Sequence, residues 1–293
     1  MRVLITGIDG FTGVHLEKHL KEHGYDVYGT VIGIPTNERY FMCDITDKAQ
    51  IDRVVESVKP NYVIHIAGLA HVTQNHASMI YDVNVIGSEN LLQSLVDNGV
   101  KPKKILMASS ATIYGNQGKE TLDESMSPKP VNHYGCSKLA MEYMAANFFD
   151  RLDIILMRPF NYTGSGQDSS FLIPKITSHY REGKREIELG NLDVAREFND
   201  VRDICHIYEE LMLCHASSET VNICTGRAIP LMQIIDDMNE IAGYKINVTV
   251  NPAFVRENEI YILKGSTVHL DELIEYRPQY TIADTLREKY SCG

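Results

Sequence analysis

A chain of 293 residues has room for one large or two closely packed α/β domains, and its formal net charge of −11 argues against nucleic-acid or membrane-surface binding as a general strategy. Six cysteines without a C-x-x-C pair suggest neither a disulfide framework nor a zinc site. No apolar run is long enough to span a bilayer and no signal-peptide pattern fits before the first strand, so a cytoplasmic location with reduced thiols is expected.

Arg2 to Thr6 is a short apolar run of strand type. It leads into Thr6-Gly7-Ile8-Asp9-Gly10-Phe11-Thr12-Gly13 and then the helical spacing of Val14, Leu16 and Leu20. Strand, glycine turn and helix in this order make a dinucleotide-binding unit. Gly7 permits the tight turn, Gly10 lets the backbone approach a pyrophosphate at the helix N-terminus, and Gly13 allows helix and strand to pack closely. Further strands are predicted over residues 27–31, 41–44, 62–67, 104–109 and 153–157, with helices over 45–58, 80–98 and 134–150. This alternation predicts an α/β fold, a doubly wound parallel sheet of Rossmann type with helices on both faces. Ligands of such sheets bind outside the carboxyl ends of the strands, where Gly7, Ala67, Ser110 and Arg158 all fall. Beyond Pro159 the pattern weakens into a loop over 163–170, helices over 173–182, 231–242 and 282–289, and short strands over 186–189, 221–224 and 246–250. Residues 1–160 read as the dinucleotide-binding domain, with a return segment at about 199–225. Residues 161–293 read mainly as a smaller C-terminal α/β lobe that binds substrate.

The chemistry concentrates between Ser109 and Lys138. Ser109-Ser110-Ala111-Thr112-Ile113-Tyr114-Gly115 ends an apolar run, and Tyr134-Gly135-Cys136-Ser137-Lys138 opens a helix. Four residues apart, Tyr134 and Lys138 share one helix face. A phenol titrates near ~10, and a neighbouring ammonium favours its phenolate. With the Ser110 hydroxyl beside them, the pair describes proton transfer at an oxygen whose carbon gives or takes a hydride.

These motifs together resemble the nucleotide-sugar branch of the extended short-chain dehydrogenases/reductases, over nearly the whole chain. The segments Arg158-Pro159-Phe160-Asn161-Tyr162, Gly190-Asn191-Leu192-Asp193 and Arg196-Glu197-Phe198-Asn199-Asp200 are similar to the GDP-4-keto-6-deoxy-D-mannose reductases, which form GDP-D-rhamnose. The resemblance implies Ser110, Tyr134 and Lys138 as the catalytic set. It implies cofactor contacts from Gly7, Asp9, Gly10, Phe11, Thr12, Gly13, Asp44, Ile45, Ala67, Gly68, Ala70, Ser109, Tyr134, Lys138 and Pro159. Substrate contacts are implied for Ser110, Asn161, Arg196, Arg256 and Glu259, the two arginines suiting a diphosphate. A homodimer built on the helices around residues 83–95 and 134–150 is also implied.

Dehydratases of the branch carry Asp-Glu directly after the catalytic hydroxyl, where this chain has Ala111 and Thr112; dehydration is therefore set aside. The expected activity is NAD(P)H-dependent reduction of a 4-keto-6-deoxyhexose on a nucleotide, with GDP-4-keto-6-deoxy-D-mannose the leading substrate. A 4-epimerase holding NAD, a 6-deoxytalose-forming enzyme and a dTDP- or CDP-sugar reductase are the alternatives. Thr30, Val31, Ile32 and Gly33 carry no carboxylate for a ribose 2′-hydroxyl, which leans toward NADPH over NADH, with Arg39 the nearest cation for a 2′-phosphate. No metal is expected. His65 reads as a core histidine despite His71 and His76 nearby, and Asn84 as a buried amide serving the backbone.

Overall fold

The structure, a computed structural model, describes residues 1–70, 77–255 and 261–291. Its N-terminal part alternates strand and helix: β1 (Arg2–Thr6), α1 (Phe11–Glu22), β2 (Asp26–Val31), β3 (Tyr40–Met42), α2 (Lys48–Val58), β4 (Tyr62–His65), α3 (Ala77–Tyr81), α4 (Ser88–Asp97), β5 (Lys104–Ala108), β6 (Thr121–Leu122), α5 (His133–Ala146) and β7 (Ile154–Pro159). The chain then runs through β8 (Tyr162–Thr163), α6 (Leu172–Arg181), β9 (Glu186–Leu189), β10 (Ala195–Arg196), β11 (Asn199–Asp200), α7 (Val201–Leu213) and β12 (Glu219–Ile223). It finishes with β13 (Ile229–Pro230), α8 (Leu231–Ala242), β14 (Asn247–Val250), β15 (Ile262–Gly265), α9 (Val268–Leu273) and α10 (Ile282–Ser291).

Seven strands form one parallel sheet in the order β3-β2-β1-β4-β5-β7-β12. The order reverses between β1 and β4, which opens the crevice where doubly wound sheets take their ligands. One face buries Val3, Ile5 and Ile64 under Leu16 and Leu20 of α1 and Ile204, Ile207 and Leu211 of α7. The other buries Leu4, Val63 and Ile105 under α2, α4 and α5. Each such aliphatic side chain contributes about 1.5–3 kcal/mol when fully buried. The strand residues are apolar on both faces because both faces are covered.

Local chemistry sets the element ends. The helix predicted from residue 45 starts at Lys48, because Asp47 caps it by accepting from the Ala49 and Gln50 amides at 3.0 and 3.4 Å. The helix predicted over 80–98 is continuous, but its middle, Asp82–Gly87, is wound as a wide π-turn between α3 and α4. Gly87 sits there because a Cβ would come within 2.6 Å of Ile45. The helix predicted to residue 150 ends at Ala146. Residues 199–223 return to the main sheet through β11, α7 and β12, and α7 is a helix that sequence reading left unassigned.

The remaining strands, with β6, form a four-stranded sheet, β13-β10-β15-β6, and two pairs, β11-β8 and β14-β9, and β9 packs with α6, α8 and α10 in a separate core. No described helix is long and apolar enough to cross a membrane.

Candidate active site

The glycine turn joins β1 to α1 at the point of strand reversal. Gly7 has φ +72°, a left-handed conformation suited to glycine, and a Cβ on it would meet Ala67 Cα at 3.0 Å. Its amide donates to the Thr30 carbonyl at 3.1 Å, and the Gly10 amide donates to the Gly7 carbonyl at 3.1 Å. A Cβ on Gly13 would lie 2.6 Å from the Gly7 oxygen and nearer still to that of Ile8, so only glycine lets α1 approach β1. Gly10 caps α1 without a side-chain hydrogen bond, leaving first-turn amides and the positive end of the helix for an anion. Tyr162 closes one side of the turn: its hydroxyl bonds Thr12 Oγ1 at 2.7 Å and its ring stacks on Phe11 at 6.0 Å. Asp9 is exposed beside them.

Ser110 ends the β5 path with its side chain buried. The Thr112 amide and hydroxyl donate to Ser110 Oγ at 3.2 and 2.9 Å. These fill the acceptor capacity of the hydroxyl and leave its proton to donate outward. Tyr134 is at the start of α5, partly exposed. Burial raises its phenol above the ordinary value, and a hydrogen bond with Ser110 acts in the opposite direction. Lys138 follows one turn later, with Nζ 6.0 Å from the Tyr134 ring centroid. Its ammonium donates to the Ala108 carbonyl at 2.7 Å, and burial brings its pKa down to about 8, with Glu142 acting to raise it. The lysine was expected to draw the phenol down. In this conformation desolvation dominates both groups, and the ammonium is engaged with the β5 backbone.

Ala67 and Gly68 follow β4 across the crevice. A Cβ on Gly68 would lie 3.0 Å from Asn84 Oδ1 and 3.3 Å from Lys138 Nζ. Asn84, fully buried in the π-turn, accepts from the Leu69 amide at 2.8 Å and donates to the Leu69 carbonyl and Ser137 Oγ at 3.0 Å each. It therefore fastens the loop leading to exposed Ala70 onto helix α5, the backbone-serving role expected of it. His65 bonds Thr6 Oγ1 at 2.7 Å and Ser88 Oγ at 2.8 Å, and burial lowers its pKa to about 3. It is a neutral core histidine; His71 and His76 lie outside the described residues.

Arg158 does not face the crevice, although it stands near a strand end. It is buried, donating to both Glu142 carboxylate oxygens at 2.9 and 2.7 Å and to the Tyr114 hydroxyl at 3.0 Å. Tyr114 donates in turn to Asn222 at 2.7 Å. The network supports the floor beneath Lys138, which sequence reading missed because strand parity decides which way Arg158 points. Arg39, the nearest cation to the end of β2 in the sequence, is half-exposed. It pairs with Asp26 and lies over the Tyr28 ring, near the start of β2, roughly 10 Å along the strand from Val31.

The other predicted contacts scatter around this centre. Asp44 is exposed and accepts from the Thr46 amide and hydroxyl at 2.9 and 2.7 Å; Ile45 is buried against the π-turn. Pro159 ends β7, and Asn161 beyond it is exposed. Ser109 is buried with an Oγ that has no hydrogen-bond partner, next to Ser110. Arg196 lies on β10, where its guanidinium donates to the Ala195 and Tyr261 carbonyls at 2.9 and 3.1 Å. Arg256 and Glu259 lie outside the described residues. Buried Glu197 ties this strand to β15 by accepting from the Gly265 amide at 2.6 Å, and from the Thr225 amide at 2.7 Å, a support that sequence reading did not identify.

The family model for GDP-mannose 4,6 dehydratase matches residues 4–289. The chain belongs to this family of extended short-chain dehydrogenases/reductases. It is 38% identical to a GDP-6-deoxy-D-talose 4-dehydrogenase of Aggregatibacter actinomycetemcomitans, covering 99% of this chain and 96% of that one. It is 28% identical to a GDP-6-deoxy-D-mannose reductase of Pseudomonas aeruginosa, covering 98% and 95%. The structure of RMD from Pseudomonas aeruginosa complexed with NADPH matches with a TM-score of 0.87 at 27% identity, over 99% of this chain and 97% of that one. The chain is accordingly an NAD(P)-dependent short-chain dehydrogenase/reductase enzyme. The glycine turn, the uncapped α1 N-terminus and the orphaned Ser109 hydroxyl fit a nicotinamide dinucleotide.

Proposed function

We propose that this enzyme interconverts the 4-keto and 4-hydroxy forms of a GDP-linked 6-deoxyhexose: GDP-4-keto-6-deoxy-D-mannose and GDP-6-deoxy-D-talose. The observation that carries the reaction class is the Ser110–Tyr134–Lys138 cluster combined with Ala111 and Thr112 at the next two positions. Elimination of water needs an acid and a base there, whereas Ala111 offers a methyl group and the Thr112 hydroxyl is spent on Ser110.

When bound, the nicotinamide supplies or accepts the hydride at carbon. Ser110 donates its remaining proton to the sugar O4 and fixes that oxygen near Tyr134. In the reducing direction Tyr134 gives its proton to O4 as charge develops, and the Lys138 ammonium stabilises the phenolate left behind. Asn84 holds the loop at Gly68 in register with helix α5 through Leu69 and Ser137. Arg196, with Arg256, is proposed to meet the diphosphate.

The 38% identity to a talose dehydrogenase, against 28% to a mannose reductase, favours the talose configuration. The rhamnose product favoured by the sequence motifs is the second reading, supported by the reductase relative. The two differ in which face the sugar turns to the cofactor. We further propose cofactor use without strong preference. The end of β2 lacks the carboxylate that would exclude a 2′-phosphate, and Arg39 is occupied with Asp26. A homodimer through the α3–α4 and α5 faces is proposed, where Met79, Ile86 and Tyr143 are exposed. The test supplies enzymatically made GDP-4-keto-6-deoxy-D-mannose and identifies the product by NMR. GDP-6-deoxy-D-talose supports the reading, GDP-D-rhamnose selects the second, and conversion only of a dTDP-linked 4-keto sugar refutes both.

A further inference from the structure

Away from the crevice, α1 and α7 pack side by side and present imidazole and carboxylate groups to one point. His19 and His23 are one turn apart at the end of α1, and His206 and Glu209 are three residues apart on α7. Glu209 Oε2 lies 2.7 Å from His19 Nε2 and 2.8 Å from His23 Nδ1. All three ligand-type atoms fall within 4.8 Å of one another. The His206 ring walls the inner side, 4.3 Å from that of His19, and stacks on Tyr276 at 4.9 Å and 8°. Tyr25 holds Glu209 from the other side through a hydrogen bond. The His19 and Glu209 side chains are largely buried, at 10% and 15% exposure, whereas His23 is 43% exposed.

We propose that His19, His23 and Glu209 form a binding site for a divalent transition-metal ion of the zinc type. Two imidazole nitrogens and one carboxylate oxygen are a three-ligand set that such ions take with water in the fourth position. Hard cations such as magnesium and calcium favour all-oxygen sets and are disfavoured here. In a tetrahedral site with bonds of about 2.0–2.1 Å, ligand atoms are about 3.3 Å apart. Both His–Glu contacts need to open by roughly half an ångström, through rotation of the shared Glu209 carboxylate together with that of exposed His23. The exposed edge of His23 admits the ion and its water. The site is at the opposite end of α1 from Gly10, roughly 18 Å along a 12-residue helix. Its role is therefore to clamp α1 to α7, the helix of the returning segment, rather than to take part in the reaction.

The test dialyses the protein against chelator and titrates it with Zn²⁺ by calorimetry and with Co²⁺ by visible absorption. One equivalent is expected to bind, with a cobalt spectrum of tetrahedral or five-coordinate N/O type, and the melting temperature is expected to rise with the ion in excess. His23→Gln and Glu209→Gln are each expected to weaken binding by about tenfold or more. His23 is exposed enough that its variant keeps the fold, which far-ultraviolet circular dichroism verifies. Absence of stoichiometric binding by the native protein, or affinity unchanged in both variants, overturns the proposal.

Discussion

Replacing Glu142 by Gln probes the frame beneath Lys138, the lysine proposed to serve Tyr134. Glu142 and Arg158 are 5% and 7% exposed, and Arg158 meets both carboxylate oxygens, at 2.9 and 2.7 Å. Burial works against the Arg158 charge, but Glu142 and Tyr114 outweigh it and hold the guanidinium above its ordinary value. The variant leaves a buried cation that cannot shed its proton, with only an amide and the Tyr114 hydroxyl to face. Breaking a buried pair from one side costs about 3–5 kcal/mol, a large part of the roughly 5–15 kcal/mol that holds a domain folded. Glu142→Leu combined with Arg158→Met removes both charges and is expected to cost less than Glu142→Gln alone, because no ion remains buried. Urea unfolding of the native protein, the single variants and the double variant measures this directly. Glu142 also acts to raise Lys138, so Glu142→Gln is expected to carry the lysine below about 8 and move the alkaline limb of the activity profile to lower pH. A loss below about 1 kcal/mol in Glu142→Gln, or a double variant less stable than either single one, would refute the reasoning.

Tyr134→Phe is expected to lower turnover by about 10²–10⁴-fold while dinucleotide binding, read by fluorescence titration, stays near native; unchanged turnover contradicts its role as the acid. His65 has a folded pKa of about 3 against 6.5 for the free group. The unfolded chain therefore binds the extra proton between these values: the contribution to stability is complete above pH 6.5 and is lost as pH falls toward 3. The slope is up to about 1.4 kcal/mol per pH unit, and His65→Gln should flatten it in acid unfolding curves. The ratio of kcat/KM for NADPH and NADH is expected to lie within about tenfold, since neither a carboxylate nor a free arginine marks the end of β2; a larger ratio would reveal a discriminating contact elsewhere. Sedimentation is expected to give a dimer mass, and a monomer at all concentrations contradicts the proposed helix face.

Much of this was legible because the relevant signals are local. The Gly7–Gly13 turn, the Ser110 hydroxyl and the Tyr134–Lys138 spacing each state their geometry within a few residues, and strand–helix alternation carries the sheet with them. What escaped depends on distant partners. The two-residue strands β8, β10 and β11 have no periodicity of their own and exist through pairing with one another and with β13 and β15. The π-turn at Asn84 leaves the apolar spacing of its helix nearly unchanged, because its reason is a tertiary contact with Leu69 and Ser137. Arg158 is placed by sequence near a strand end, but the face of the strand decides its partners. Helix α7 is a different case: Val201, Ile204, Cys205, Ile207, Tyr208 and Leu211 follow helical spacing, and Asp200 caps it by accepting from the Arg202 amide at 2.8 Å. Its signal was present and was overshadowed by the motif that precedes it.

The central claim is net hydride transfer at C4 with Tyr134 as the proton donor. The most direct measurement is the stoichiometry of NAD(P)H oxidised per molecule of GDP-4-keto-6-deoxy-D-mannose consumed, in a closed reaction with purified enzyme. A ratio of one, abolished in Tyr134→Phe, is the result expected. Sugar consumption without net oxidation of the cofactor would contradict it.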